Sequence, residues 1–217
     1  MRILVACEES GRVTAAFRKR GFDAFSCDIL ETSGDLPQYH IKEPVESVLY
    51  GHCWFKTQTG LLYYVDEWDC IIAFPPCTDL AASGARWFKE KQADGRQAAS
   101  IEFFKMFTNL ECKHVAIENP VGIMSTHYRK PDQIIQPWQF GHPYTKTTCL
   151  WLKGLPNLEP TETLKKPVGG WVNQSFTPDG RYGGFNGKFC GSTTRSKTFP
   201  GIAEAMAAQW GSYLESL

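Results

Sequence analysis

The chain has 217 residues, 42% of them hydrophobic, and its 23 lysines and arginines are balanced by 23 aspartates and glutamates. That size and apolar content suit one globular domain, residues 1–217, with a substantial core. Zero net charge excludes a global field that would draw in nucleic acid or an anionic membrane, so any basic binding surface has to be local.

The opening stretch MRILVACEE carries an apolar run too short for a signal peptide and turns acidic at once. No later segment reaches the length of a membrane span, so a cytoplasmic protein without a membrane partner is expected. In that compartment the eight cysteines are expected as thiols. They form no Cys-x-x-Cys pair, and His52 beside Cys53 or Cys112 near His114 lacks a second half at ligand spacing, so no metal site is expected.

Arg2 to Cys7 reads as a short strand, and the following GRVTAAFRKRGF has helical periodicity, with Val13, Ala16 and Phe17 on one face and Arg12, Arg18 and Lys19 on the other. Gly21 ends that helix. Asp23 to Ile29 is a second strand closing on an acid. The run DCIIAF predicts a third strand, GRQAASIEFFKMFTNL a helix with Ile101, Phe104, Phe107 and Leu110 inward, and HVAIENP another strand. Thr147 to Leu152 is a later strand, and GIAEAMAAQWGSYL a closing amphipathic helix. Alternating strands and helices predict an α/β fold: an open, mostly parallel, doubly wound sheet of Rossmann-like type, whose ligands sit beyond the carboxyl ends of the strands.

Residues 155–194 break the pattern, with glycine, proline and aromatics in place of any helical period. From Thr163 to Lys197, Lys165, Lys166, Arg181, Lys188, Arg195 and Lys197 face Asp179 alone. Interleaved with Trp171, Phe176, Tyr182, Phe185 and Phe189, they compose a local basic surface suited to phosphates and stacked bases, or the packing of a small subdomain.

Chemistry-capable residues collect at the strand ends. Cys77 follows Pro75 and Pro76 at the exit of the third strand, where nearby amides favour a reactive thiolate. Glu118 and Asn119 end the next one. A carboxyl group desolvated there gains proton affinity and can hold a proton for a ring nitrogen. Thiolate plus protonating acid is the pair needed to add a nucleophile across a pyrimidine ring.

Together FPPCTDLAASG, AIENPVG and FGHPYTKTTCLWL resemble three ordered motifs of the DNA cytosine carbon-5 methyltransferases: the Pro-Cys loop, the Glu-Asn-Val strand end and the Gln-x-Arg-x-Arg strand. The resemblance runs from Met1 to about Leu155 and resumes in the last twenty or so residues. It implies the fold of the S-adenosylmethionine-dependent methyltransferases, with Cys77 as the nucleophile at carbon 6 of cytosine, Glu118 as the acid at ring nitrogen 3, and Asn119 holding the Pro-Cys loop. Lys146 and Thr148 stand where the family has its two arginines, Tyr144 replaces the glutamine, and Pro120 the valine. For the cofactor, S-adenosylmethionine, the resemblance implies the loop Cys7, Glu8, Glu9, Ser10 and Gly11, the acid Asp28 for the ribose, Asp35 for the adenine amine, and Ile29, Pro76, Ser196 and Thr198 around it. Gly11 is the only glycine kept from the family's Phe-x-Gly-x-Gly loop. Glu8 and Glu9 read equally well as charges at a helix start.

The implied substrate is cytosine in duplex or single-stranded DNA, flipped from the stack where the DNA is duplex. Arg86, Arg96, Thr148, Lys188 and Arg195 are the substrate-binding candidates, and TDLAASGARWFKEKQADGR the expected lid. The interval that holds a target-recognition domain in the family is here only residues 155–194, which keeps a free cytidine nucleotide open as substrate. So compact a member fits a phage or mobile element. A non-catalytic nucleic-acid-binding relative is the alternative from another class.

Overall fold

A computed structural model describes residues 1–167 and 196–217. Segment 168–195, with Lys188, Arg195 and most of the basic, aromatic stretch, lies outside the described residues. Strands β1 (Arg2–Ala6), β2 (Asp23–Asp28), β3 (His40–Lys42), β6 (Cys70–Ala73), β7 (Val115–Pro120), β8 (Gln133–Ile135) and β9 (Thr148–Lys153) form a seven-stranded sheet in the order β3-β2-β1-β6-β7-β9-β8. β4 (Cys53–Lys56) and β5 (Leu62–Val65) make a separate antiparallel hairpin. The helices are α1 (Arg12–Lys19), α2 (Phe88–Ala93), α3 (Arg96–Thr108) and α4 (Met124–His127). A closing helix runs from Pro200–Ala205 through a π turn, Met206–Trp210, into Gly211–Glu215.

The fold is α/β, with a mostly parallel central sheet flanked by helices. Pairs β2 to β3, β1 to β2, β1 to β6 and β6 to β7 are parallel, whereas β9 runs antiparallel to both β7 and β8. The strand read from the sequence as Thr147 to Leu152 is thus the reversed one. Periodicity identifies a strand but is blind to its direction.

Both faces of the sheet are covered, which is why its strands are apolar runs with little alternation. One face buries Leu4, Phe25, Ile71, Phe104, Phe107 and Trp151; the other buries Ile3, Val5, Phe17, Ile72, Leu150, Phe199 and Trp210. Each large side chain removed from water there contributes about 1.5–3 kcal/mol. Helix α3 buries Ile101, Phe104 and Phe107 as its spacing predicts, and α1 buries Val13 and Phe17. Gly21 follows α1 at φ 88, a left-handed conformation that favours glycine.

Strand order reverses between β1 and β6. β2 and β3 extend one way from β1, β6 and β7 the other, so the crevice of an open α/β sheet falls outside the carboxyl ends of β1 and β6. Those ends lead into Cys7–Gly11 and Phe74–Cys77.

Candidate active site

The loop after β6 is fixed from two sides. Asn119, buried in the next strand, donates its side-chain Nδ2 to the carbonyl of Pro75 at 2.8 Å. The carbonyl of Cys77 accepts from the amides of Leu80 and Ala81 at 3.0 and 2.9 Å, which folds the chain into a turn around this half-buried cysteine. The two prolines restrict φ and lack the N–H that would extend the ladder.

Glu118 and Asn119 do different work because successive side chains of a strand point to opposite faces. Asn119 shares its face with Ile117 and Cys149 of one core; Glu118 shares the other with Ala116 and Leu150. Glu118 lines a narrow cleft with Phe74, Lys146, Thr148, Thr198, Phe199, Ile202 and Met206. Burial raises the pKa of its carboxyl, opposed by the nearby Lys146 ammonium and a hydrogen bond from Thr148. The residues standing where the resemblance puts two arginines therefore both reach Glu118 electrostatically. Lys146 is positioned by its amide, which donates to Gln136 Oε1 at 3.1 Å.

At the end of β1, Cys7 adopts φ 58 and Gly11 φ 61. Left-handed backbone at a non-glycine residue is uncommon, and here it marks the sharp exit of the strand. The Cys7 thiol packs on the core, and burial, with Asp28 and Cys27 nearby, pushes its pKa up. Glu8 is buried and aims both carboxyl oxygens at the start of α1: Val13 N donates to Oε1 at 2.6 Å, Thr14 N and Thr14 Oγ1 to Oε2 at 3.2 and 2.8 Å. It is a helix-start group, not a solvated charge. Burial, opposed by these bonds and by Arg12, pushes its pKa up to about 7.

This shift carries a stability prediction. The folded state holds the Glu8 proton more tightly than the unfolded chain, so its contribution is fully present below about pH 4.5 and is lost as pH rises through about 7. The loss is on the order of 3 kcal/mol. Urea denaturation at pH 5 and pH 8 should show a falling midpoint in the wild type, and a markedly flatter dependence in Glu8→Gln.

The loop after β2 packs on this exit. Thr32 Oγ1 donates to the carbonyl of Glu9 at 2.7 Å, and a Cβ on Gly34 would meet the carbonyl oxygen of Ser10 at 2.6 Å. Asp28 accepts from the amide of Leu30 at 3.0 Å, beside Ile29 and Leu30, which are 68% and 57% exposed. Buried His40 supports the loop from below. Its Nε2 donates to the Leu30 carbonyl at 2.9 Å, which leaves Nδ1 to accept from Ser26 Oγ at 2.9 Å.

The C-terminal segment closes on both loops. Lys197 donates to Ser33 Oγ at 2.5 Å and lies 4.0 Å from Glu9 Oε2, while Arg12 donates to the Thr198 carbonyl at 2.7 Å. The structure thus brings Cys7 to Gly11, Asp28, Ile29 and Thr198 to one end of the sheet. Asp35 is exposed on the β2 loop and Pro76 on the β6 loop.

The expected lid is tied down at its middle. Lys91 is buried, 3.1 Å from Asp79 Oδ1, and donates to the Thr78 carbonyl at 2.5 Å; Gln97 and Ser100 also donate to Asp79. Arg96 is engaged by Glu90 and Asp94 at 2.8 and 2.6 Å, and Arg86 lies over the Trp87 ring. In the sequence Lys91 is one cation in a charged run, and nothing there distinguishes it from a solvated helical lysine. Lys91→Met leaves Asp79 without its cation and should cost about 3 kcal/mol of stability. Chemical denaturation measures that loss, and Asp79→Leu added to Lys91→Met should recover most of it.

A larger cavity, about 190 Å³, lies on the opposite face among Phe107, Tyr128, Arg129 and Trp151. Arg129 is already paired with Asp132 and the Leu152 carbonyl there. Among the described residues no group of three His, Cys, Asp or Glu is placed to hold a metal, and no helix is long and apolar enough to cross a membrane.

Fold and site together define an α/β domain with a cysteine loop and a buried carboxyl group at neighbouring strand ends. The chain matches no known family in a comparison with family models, and none of the curated proteins.

Proposed function

We propose that this chain is an S-adenosylmethionine-dependent methyltransferase acting on carbon 5 of cytosine in DNA, with Cys77 as covalent nucleophile. The observation that carries the reading is the clamp from Asn119 to Pro75 at 2.8 Å, which fixes the Cys77 loop against the strand that presents Glu118. The mostly parallel sheet is also what a methyltransferase of this type requires.

The residues at the β2 end suit the cofactor. Asp28 offers a carboxylate for ribose hydroxyls, and the exposed Ile29 an apolar surface for the adenine. When bound, S-adenosylmethionine supplies an electrophilic methyl group. Cys77, as thiolate, forms a bond to carbon 6 of cytosine, and the displaced ring electrons make carbon 5 nucleophilic. Glu118, whose proton affinity burial raises against the opposing Lys146 ammonium and Thr148 hydrogen bond, supplies the proton at nitrogen 3. After methylation the carbon-5 proton passes to water, its electron pair re-forms the 5,6 double bond and expels Cys77 as thiolate, and nitrogen 3 returns its proton to Glu118.

The test is transfer of labelled methyl to duplex DNA, single-stranded DNA, RNA and dCMP side by side, with calorimetric titration of the cofactor. Labelled 5-methylcytosine in DNA supports the reading, and labelling of dCMP alone moves the substrate to a free nucleotide. Failure to bind the cofactor identifies a non-catalytic relative.

A further inference from the structure

The β4–β5 hairpin packs one side on the core and leaves the other to solvent. Phe55 and Val65 are buried; Trp54 and Lys56 of β4 and Leu62 and Tyr64 of β5 point outward. Trp54 stands opposite Tyr64 with ring centroids 5.3 Å apart, and the two remain 67% and 42% exposed. Leu62 on the same face is 56% exposed, and Tyr50 and Leu61 in the flanking chain are 65% and 47% exposed. Monomeric proteins rarely expose a contiguous apolar surface larger than about a few hundred Å².

Charge is ordered along this face. Lys56 sits opposite Leu62 at the turn end, the aromatic pair is in the middle, and Asp66, held 2.7 Å from His52 Nδ1, is at the other end. We infer that this face is the contact of a two-fold homodimer, with the hairpins of two copies packed face to face and Lys56 of each opposite Asp66 of the partner subunit.

Two orientations place the aromatic pair on its own copy. A two-fold axis along the strands brings the two Lys56 ends together and the two Asp66 ends together, which like-charge repulsion disfavours. An axis across the strands reverses the order and pairs each lysine with an aspartate. The contact is isologous and closes at two copies, so it makes a dimer and no filament. A nucleic-acid strand stacked on the same aromatics is opposed by the exposed Asp66 and Glu67, which follow β5. The inference is independent of the proposed activity.

Sedimentation equilibrium of the full chain tests it, with an expected mass twice the 24.5 kDa of one chain. Trp54→Ser should sediment as a monomer with an unchanged melting profile by circular dichroism. Lys56→Glu should weaken the dimer about tenfold or more, and Lys56→Glu combined with Asp66→Lys should restore it. The charge exchange leaves the aromatic core intact, so its result stands even if the tryptophan variant misfolds. A monomer at all concentrations up to about 100 μM, or a charge-exchanged protein no tighter than the single variant, would overturn the inference. So would a monomeric wild type whose oligonucleotide binding is lost in Trp54→Ser.

Discussion

Cys77→Ser is expected to lower methyl transfer by about a thousandfold or more while leaving the fold and cofactor binding intact. A hydroxyl is of similar size but is almost entirely unionised near neutral pH, so it cannot add to carbon 6 at a useful rate. Two backbone carbonyls of the loop, those of Pro75 and Cys77, anchor it and are unchanged by the substitution. Its clamp runs from Asn119 to the Pro75 carbonyl, and its turn runs through the backbone of Cys77, Leu80 and Ala81. Single-turnover transfer measures the first effect, and a melting curve with a calorimetric titration measures the second. A variant with near-normal rates would remove Cys77 from the chemistry.

Glu118→Gln is expected to cost about 10²–10⁴-fold in rate, the range of a positioned general acid. The amide keeps the size of the side chain and a donor but cannot give up a proton. The pH dependence distinguishes this role from a structural one. Burial raises the Glu118 pKa, so the protonated form persists above the ordinary carboxylate range, and activity should fall as pH rises through that raised value. Because Lys146 opposes the shift, Lys146→Met should move this limb to higher pH. Rates of wild type, Glu118→Gln and Lys146→Met across pH 5 to 9 give the answer. An unshifted limb in Lys146→Met would show that the titrating group is not Glu118.

The parallel half of the fold was legible because its strands are buried on both faces and read as unbroken apolar runs: RILVA, CIIA, VAI. Helix α3 was legible for the same reason, its inward residues at helical spacing. β3 and β8 are three residues each, too short for any period to register. The β4–β5 hairpin alternates over only four residues per strand, so Trp54 and Tyr64 did not stand out as an exposed pair.

Ordered motifs made part of the site legible as well. The Asn119 contact to the loop of Cys77 was expected from the resemblance and is present at 2.8 Å. Glu8 was recognisable as an acid near a helix start, but its burial and its three hydrogen bonds depend on how the Cys7 to Gly11 turn folds back on α1. Lys91 and Arg96 show the same limit from opposite sides. Both are cations in one charged stretch, yet the first is buried against Asp79 and the second lies in an exposed ion-pair cluster. Tertiary contacts separate them, and local sequence does not.

The central claim is that Cys77 forms a covalent bond to carbon 6 of a cytosine. Intact-protein mass spectrometry after incubation with S-adenosylmethionine and DNA carrying 5-fluorocytosine tests it directly, because fluorine at carbon 5 blocks the proton loss that releases the enzyme. One DNA strand linked per protein, on the peptide that contains Cys77 and absent in Cys77→Ser, is the predicted result. No adduct in the wild type, or the same adduct in Cys77→Ser, would contradict the account.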